Sequence, residues 1–125
     1  MDREILFRGK SISIGEWTEG NFVHRKQGVE YIRNNDSLLK VDPATVGQFT
    51  GLCDKNGVKI FEGDLFVNPS NRLMVIETPI NKPAFYALVV SDKTLGYPLI
   101  FENMSSREVI GNIHDNPELL EEESE

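Results

Sequence analysis

Three observations predict a mainly β fold. Gly, Pro, Asn and Asp recur at short intervals along the whole chain. The runs between them are about four to eight residues long and rich in Val, Ile, Phe, Tyr and Leu, as strands are. No internal segment sustains an apolar period over the ten or so residues that an amphipathic helix needs. With 125 residues, the natural expectation is one domain with a self-sufficient core. The reading is therefore all-β or mainly β: a compact single domain over residues 1–120, built of short antiparallel strands as a barrel-like or sandwich arrangement. One or two short helical turns are expected, one of them near the C-terminus, followed by an acidic disordered tail over 121–125.

The strands are expected, in order, at Ile5–Arg8, Trp17–His24, Val29–Arg33 and Leu38–Val41, then at Asp64–Val67, Arg72–Thr78, Ala84–Ser91, Leu99–Glu102 and Glu108–Ile113. Phe22–Val29 reads as a hairpin with Gly28 in its turn. In Ala84–Ser91 the run is nearly continuous apolar, which suits a strand buried on both faces. Asn56-Gly57 suggests a type I′ turn, whose two central residues need positive φ. Leu52–Lys55 and Val58–Phe61 would be the short strands beside it. Glu62-Gly63-Asp64 reads as a second turn, with Asp64 accepting from nearby backbone amides. Asn116-Pro117-Glu118-Leu119-Leu120 has the marks of a helix start: Asn as N-cap, Pro at the first helical position and Glu in the first turn. Its two leucines are expected to pack onto the sheet.

Charge and composition bound the function. The formal charge is −7, and five glutamates in the last eight residues account for most of it. Such a run reads as a solvated tail. The body is close to balanced and shows no basic run of the kind that marks nucleic-acid binding, although folding can still gather scattered basic residues on one face. No stretch reaches the apolar length of a membrane span, and the charged start MDREILFRGK is not a signal peptide. A single cysteine, Cys53, cannot form a disulfide within the chain and points to a reducing cytoplasm.

The stretch Thr50–Asp64, TGLCDKNGVKIFEGD, places Asp54, Asn56, Glu62 and Asp64 close together beside Cys53. A calcium loop starting at Asp54 would need ligands at positions one, three and five, Gly at six and Glu at twelve. Val58, Lys59 and Leu65 occupy the last three of those positions, so the carboxylates are read as turn architecture. Cys53 has no neighbouring base and is read as a small buried hydrophobe rather than a nucleophile. His24 and His114 lack the further ligands of a zinc site. No phosphate loop, dinucleotide fingerprint or nucleophile elbow is present. No catalytic, cofactor-binding or metal-binding residue is assigned. Phe22-Val23-His24-Arg25-Lys26 is the one place where aromatic and basic residues interleave, so Arg25 and Lys26 stand as the candidate nucleic-acid surface.

The run DPATVGQFTGL at Asp42–Leu52, then DKNG at Asp54–Gly57 and IFEGDL at Ile60–Leu65, resembles the signature of YopX-family proteins, small proteins encoded by phages and prophages of Gram-positive bacteria. ILFRG at Ile5–Gly9 resembles the family's opening, and EVIGNIHDNPELL at Glu108–Leu120 resembles its end. Gly9 departs from the usual small residue plus tryptophan, and residues 68–105 show little of the pattern. The positions that carry the resemblance are Gly47, Gly51, Asp54, Asn56, Gly57, Glu62, Gly63, Asp64, Gly111, Asn112, Asn116 and Pro117. The resemblance implies a β-rich domain, a phage or prophage origin and a bacterial cytoplasm; it supplies no activity and no catalytic residues. The expectation is a non-enzymatic accessory protein that binds a protein partner or forms a homo-oligomer, without a cofactor and away from membranes. Nucleic-acid binding is the alternative.

Overall fold

The computed structural model describes residues 5–26, 29–82 and 84–123. The class is mainly β: two antiparallel sheets and one short helix. The chain gathers into two compact units, Met1–Gly51 and Leu52–Glu125.

In the first unit, β1 (Phe7–Lys10), β2 (Trp17–Lys26), β3 (Val29–Arg33) and β4 (Leu38–Val41) form a meander, and β5 (Gly47–Cys53) pairs with the outer side of β1. Alternation along these strands puts Phe7, Gly9, Phe22, Ile32 and Val41 on one face. Ile32 and Val41 are fully buried, and the Phe7 and Phe22 rings meet at 5.5 Å. The sheet curls so that Ser11, just past β1, bridges Val41 on β4, with the Ile12 N–H donating to Lys40 O at 3.0 Å. That single bridge covers part of the β4 edge without closing a barrel. Between β4 and β5, Asp42 caps a 3-10 turn at Pro43–Thr45 by accepting the Ala44 N–H at 3.0 Å.

Leu52 and Cys53, the last residues of β5, begin the second unit and lead through a tight loop to β6 (Lys59–Phe61), the sixth strand of that sheet. The second sheet has the order β10-β9-β8-β7-β11, from β7 (Asp64–Val67), β8 (Leu73–Glu77), β9 (Tyr86–Val89), β10 (Asp92–Pro98) and β11 (Gly111–Asn112). Both of its faces are covered. Phe66, Met74, Ile76, Ala87 and Val89 pack under Ile60, Leu99 and Met104. Leu65, Leu73, Val75 and Leu88 pack under Ile113 and under Leu119 and Leu120 of α1 (Pro117–Glu123). Each fully buried Leu, Ile or Phe contributes about 1.5–3 kcal/mol, so this unit holds most of the apolar stabilisation. As expected, β9 is buried on both faces.

Several elements differ from the sequence reading, each for a local reason. Leu99–Glu102 is not a strand. Pro98 lacks an N–H, the Leu99 N–H turns to Phe85 O at 2.9 Å, and a 3-10 turn follows at Leu99–Phe101. A further 3-10 turn occupies Met104–Ser106, so there are more helical turns than expected. Glu108–Ile113 shrinks to the two-residue β11, and ahead of it the Val109 amide is taken by Asp54 Oδ2. β10 fills a stretch where no strand is expected. Its register jumps between Asp92 and Gly96, so Lys93, Thr94 and Leu95 bulge from the sheet edge. α1 continues through Glu123. Gly28, expected in the β2–β3 turn, lies outside the described residues, as do Ser124 and Glu125 of the expected tail.

Candidate functional site

The resemblance-bearing residues form two hydrogen-bonded centres. The first is the β5–β6 loop. Gly57 has φ 82°, but Asn56 does not reach positive φ; among the described residues Asn71 is the only non-glycine that does. The turn is therefore not type I′. Instead the Gly57 N–H donates to Asp54 O and the Asp54 N–H to Val58 O, both at 2.9 Å. This is a three-residue loop with its left-handed residue last. Asp54 Oδ1 accepts the Asn56 and Val58 amides at 2.8 and 3.0 Å, and Oδ2 accepts the Val109 amide at 3.0 Å. Burial pushes the Asp54 carboxyl up, but the amides of Val109, Val58 and Asn56, helped by Lys55, outweigh it and hold it below the ordinary 3.8. The β7–β8 hairpin repeats the plan: Asn68 Oδ1 accepts from Ser70 and Arg72, and Asn71 takes the left-handed place at φ 65°.

The second centre joins the β6–β7 turn to the C-terminal segment. Asp64, 2% exposed, accepts the Phe61 N–H at 2.8 Å. Gly63, at φ 92°, donates to Ile76 O at 2.7 Å and accepts the Ile113 N–H at 3.0 Å. Asn112 Oδ1 accepts the amides of His114 and Asp115, both at 2.9 Å. The Asn112 N–H donates to Asn116 Oδ1 at 3.0 Å, and the Asn116 N–H returns to Asn112 O at 2.9 Å. The Asn116 side-chain oxygen thus serves Asn112 rather than the first turn of α1, which begins at Pro117 as expected. Replacing Asn116 by alanine leaves the Asn112 amide without its acceptor. The expected cost is about 1–2 kcal/mol, read as a fall of several degrees in a circular-dichroism melt.

Glu62 accepts from Thr78 Oγ1 at 2.6 Å. Gly47 is buried opposite Arg8, and Gly51 is exposed at φ 89°. Cys53, expected buried, is exposed. His24 pairs with Glu30 at 3.3 Å. The side chains of Arg25 and Lys26 lie outside the described residues.

The remaining candidate surface comes from residues 68–105, where the family resemblance is weakest. The pairings Glu77–Tyr86 and Tyr86–Pro98 bring the β8–β9 loop and the turn after β10 to one end of the second sheet. Large apolar side chains stand in solvent there: Ile80 is 99% exposed, Ile100 84% and Phe101 77%. Beside them a cleft of about 320 Å³ is lined by Pro79, Lys82, Tyr86, Leu88, Lys93 and Gly96, among others. Lys93 Nζ donates to Glu77 Oε2 at 2.5 Å, and Lys82 Nζ lies 5.8 Å from the centre of the Tyr86 ring. The turn is braced from behind: Glu102 accepts from Tyr97 Oη and from Arg107 Nε, the latter at 2.6 Å. Burial and the Glu102 carboxylate raise the Tyr97 hydroxyl above its ordinary 10.0. The cleft offers apolar surface beside the Lys82 ammonium.

A family model described as YopX protein matches residues 3–121. Among solved structures, the crystal structure of protein EF1440 from Enterococcus faecalis is similar with a TM-score of 0.54 at 23% identity, covering 95% of this chain and 99% of that one. At that identity the likeness shows the fold alone. No curated protein matches the chain.

Proposed function

The chain belongs to the YopX protein family, and from that premise we propose that it is a non-enzymatic accessory protein of a phage or prophage. In this reading it acts in the bacterial cytoplasm by binding a protein partner or a second copy of itself. The supporting observation is the apolar end of the second sheet, where Ile80, Ile100 and Phe101 are largely exposed. Scattered single apolar residues on a surface are ordinary, but several large ones at one end of a sheet mark an interaction site. The buried carboxylates of Asp54 and Asp64 are engaged by backbone amides, which leaves them holding the fold.

Association through paired sheet edges is the less favoured route. The bulge Lys93–Leu95 interrupts β10, and the Ser11 bridge covers part of β4. Side chains rather than edge amides are the expected contacts. The double variant Ile100→Asp, Phe101→Asp changes two exposed residues and should fold normally. It is expected to lose at least tenfold in affinity for the partner or second copy, as central apolar anchors do. Light scattering over a concentration series, with affinity capture from the host lysate by both proteins, checks this. Wild type that stays monomeric and captures nothing the variant lacks would contradict the reading.

A further inference from the structure

We propose that the outer face of the first sheet binds single-stranded nucleic acid. The strand register assigns the face. Lys10 lies opposite Trp17, and Arg8 opposite Glu19. Tyr31 lies opposite both Val23 and Lys40, and Arg33 opposite both Asn21 and Leu38. Directly opposed residues of antiparallel strands share a face. Arg8, Lys10, Trp17, Tyr31, Arg33 and Lys40 therefore all stand on the side away from Ile32 and Val41. Arg33 and Lys40 are open to solvent; Lys10, Trp17 and Tyr31 are half-buried, as is Arg8, whose Nε is buried.

Charge sorting on folding supplies the complementarity that the composition hides. The first unit carries seven basic and seven acidic residues, so it is neutral as a whole. Among the described side chains on the outer face of β1–β4, however, four are basic and one, Glu19, is acidic. Of the other described acids, Glu30 lies on the inner face with His24, and Glu16, Asp36 and Asp42 lie in the connections. The Arg8 guanidinium sits 4.4 Å from the Trp17 ring centre and Lys10 Nζ 5.5 Å from it. Aromatic rings and a guanidinium plane stack on unpaired bases, while nearby lysines and arginines meet the phosphates. Duplex bases are already stacked on one another and cannot use such a platform, so the ligand is a single strand. Continuous backbone tracking across β1–β4 would engage a few nucleotides.

The test uses the full chain with labelled twelve-residue oligo(dT) and oligo(rU), by fluorescence anisotropy between 25 and 200 mM NaCl. Emission of the sole tryptophan, Trp17, is followed in parallel. Binding is expected to weaken with salt at a log–log slope of about −2, as three phosphate contacts to a single strand give, and to change Trp17 emission. The variant Arg33→Glu, Lys40→Glu alters two exposed positions and is expected to bind about tenfold or more weakly while keeping the wild-type melt. Ile100→Asp, Phe101→Asp is expected to leave oligonucleotide binding intact, which separates this site from the protein-binding one. No binding at 25 mM NaCl, equal binding of a duplex, or an undiminished Arg33→Glu, Lys40→Glu variant would each overturn the proposal. Capture of an acidic protein by this face, lost in the same variant, with no oligonucleotide bound, would also overturn it.

Discussion

Replacing Asp54 by alanine is expected to lower stability by about 3–4 kcal/mol, a large part of the ~5–15 kcal/mol that holds a domain of this size. Asp54 is 5% exposed, and its carboxylate accepts three amides, two within its own loop and the third from Val109, fifty-five positions away. Alanine leaves all three donors without acceptors and unties Val109 from the β5–β6 loop. Asparagine keeps one oxygen but turns an amide donor towards at least one N–H, so it should recover only part of the loss.

The effect has a pH signature of definite sign. The folded chain holds the Asp54 carboxyl below its ordinary 3.8, so the folded state favours the ionised form. Its contribution is complete well above 3.8 and fades as the pH falls below that value through the lowered folded one. Urea unfolding at pH 7 and at pH 3 should show the gap between wild type and Asp54→Ala narrowing in acid. A gap of the same size at both pH values would refute this account of the loop.

Gly20→Ala is the second large effect. A Cβ built on Gly20 would lie 2.2 Å from the Arg33 carbonyl oxygen and 3.2 Å from Ile32 Cγ2. The nearer atom is backbone, held in the β2–β3 pairing, so the hairpin has to move rather than a side chain rotate. Overpacking of this kind typically costs about 1–3 kcal/mol, and with a rigid obstacle the upper end is expected. Gly15→Ala provides the contrast. Its Cβ would meet nothing within 4 Å, and only the φ of 72° opposes it, worth about 1–2 kcal/mol. Thermal melts followed by Trp17 emission compare the two; a Gly20→Ala melt no lower than that of Gly15→Ala would show that the hairpin yields.

The strands whose alternation was self-evident were legible: Val29–Arg33, Leu38–Val41 and Asp64–Val67 fall where the pattern put them. The structure departs from pattern where a distant partner decides. Nothing near Val109 announces that its amide will be taken by Asp54, ahead of the shortened last strand. Asp92–Pro98 carries no expected strand, because a bulged edge strand has no clean period. Asn56-Gly57 suggested two positive φ angles, whereas the Asp54 side chain selects a loop needing only one. The first candidate surface was illegible for a different reason. Arg8, Lys10, Arg33 and Lys40 are spread over three strands, so no local run is basic, and only register brings them to one face. The second candidate surface arises from Ile80, Ile100 and Phe101, which a sequence reading assigns to strands or loops without knowing that they miss the core.

The guarded sheet edges bear on how this chain can change over generations. Backbone pairing at an open edge is nearly blind to side-chain identity, so it accepts many strangers and resists retuning. Where β10 bulges and β4 is bridged, new associations must be written in side chains such as Ile100, Phe101, Arg33 and Lys40. Those positions are exposed and carry little of the core. On the two proposed surfaces, single substitutions can change the contacts offered while the scaffold of Asp54, Gly63 and Asn112 stays fixed.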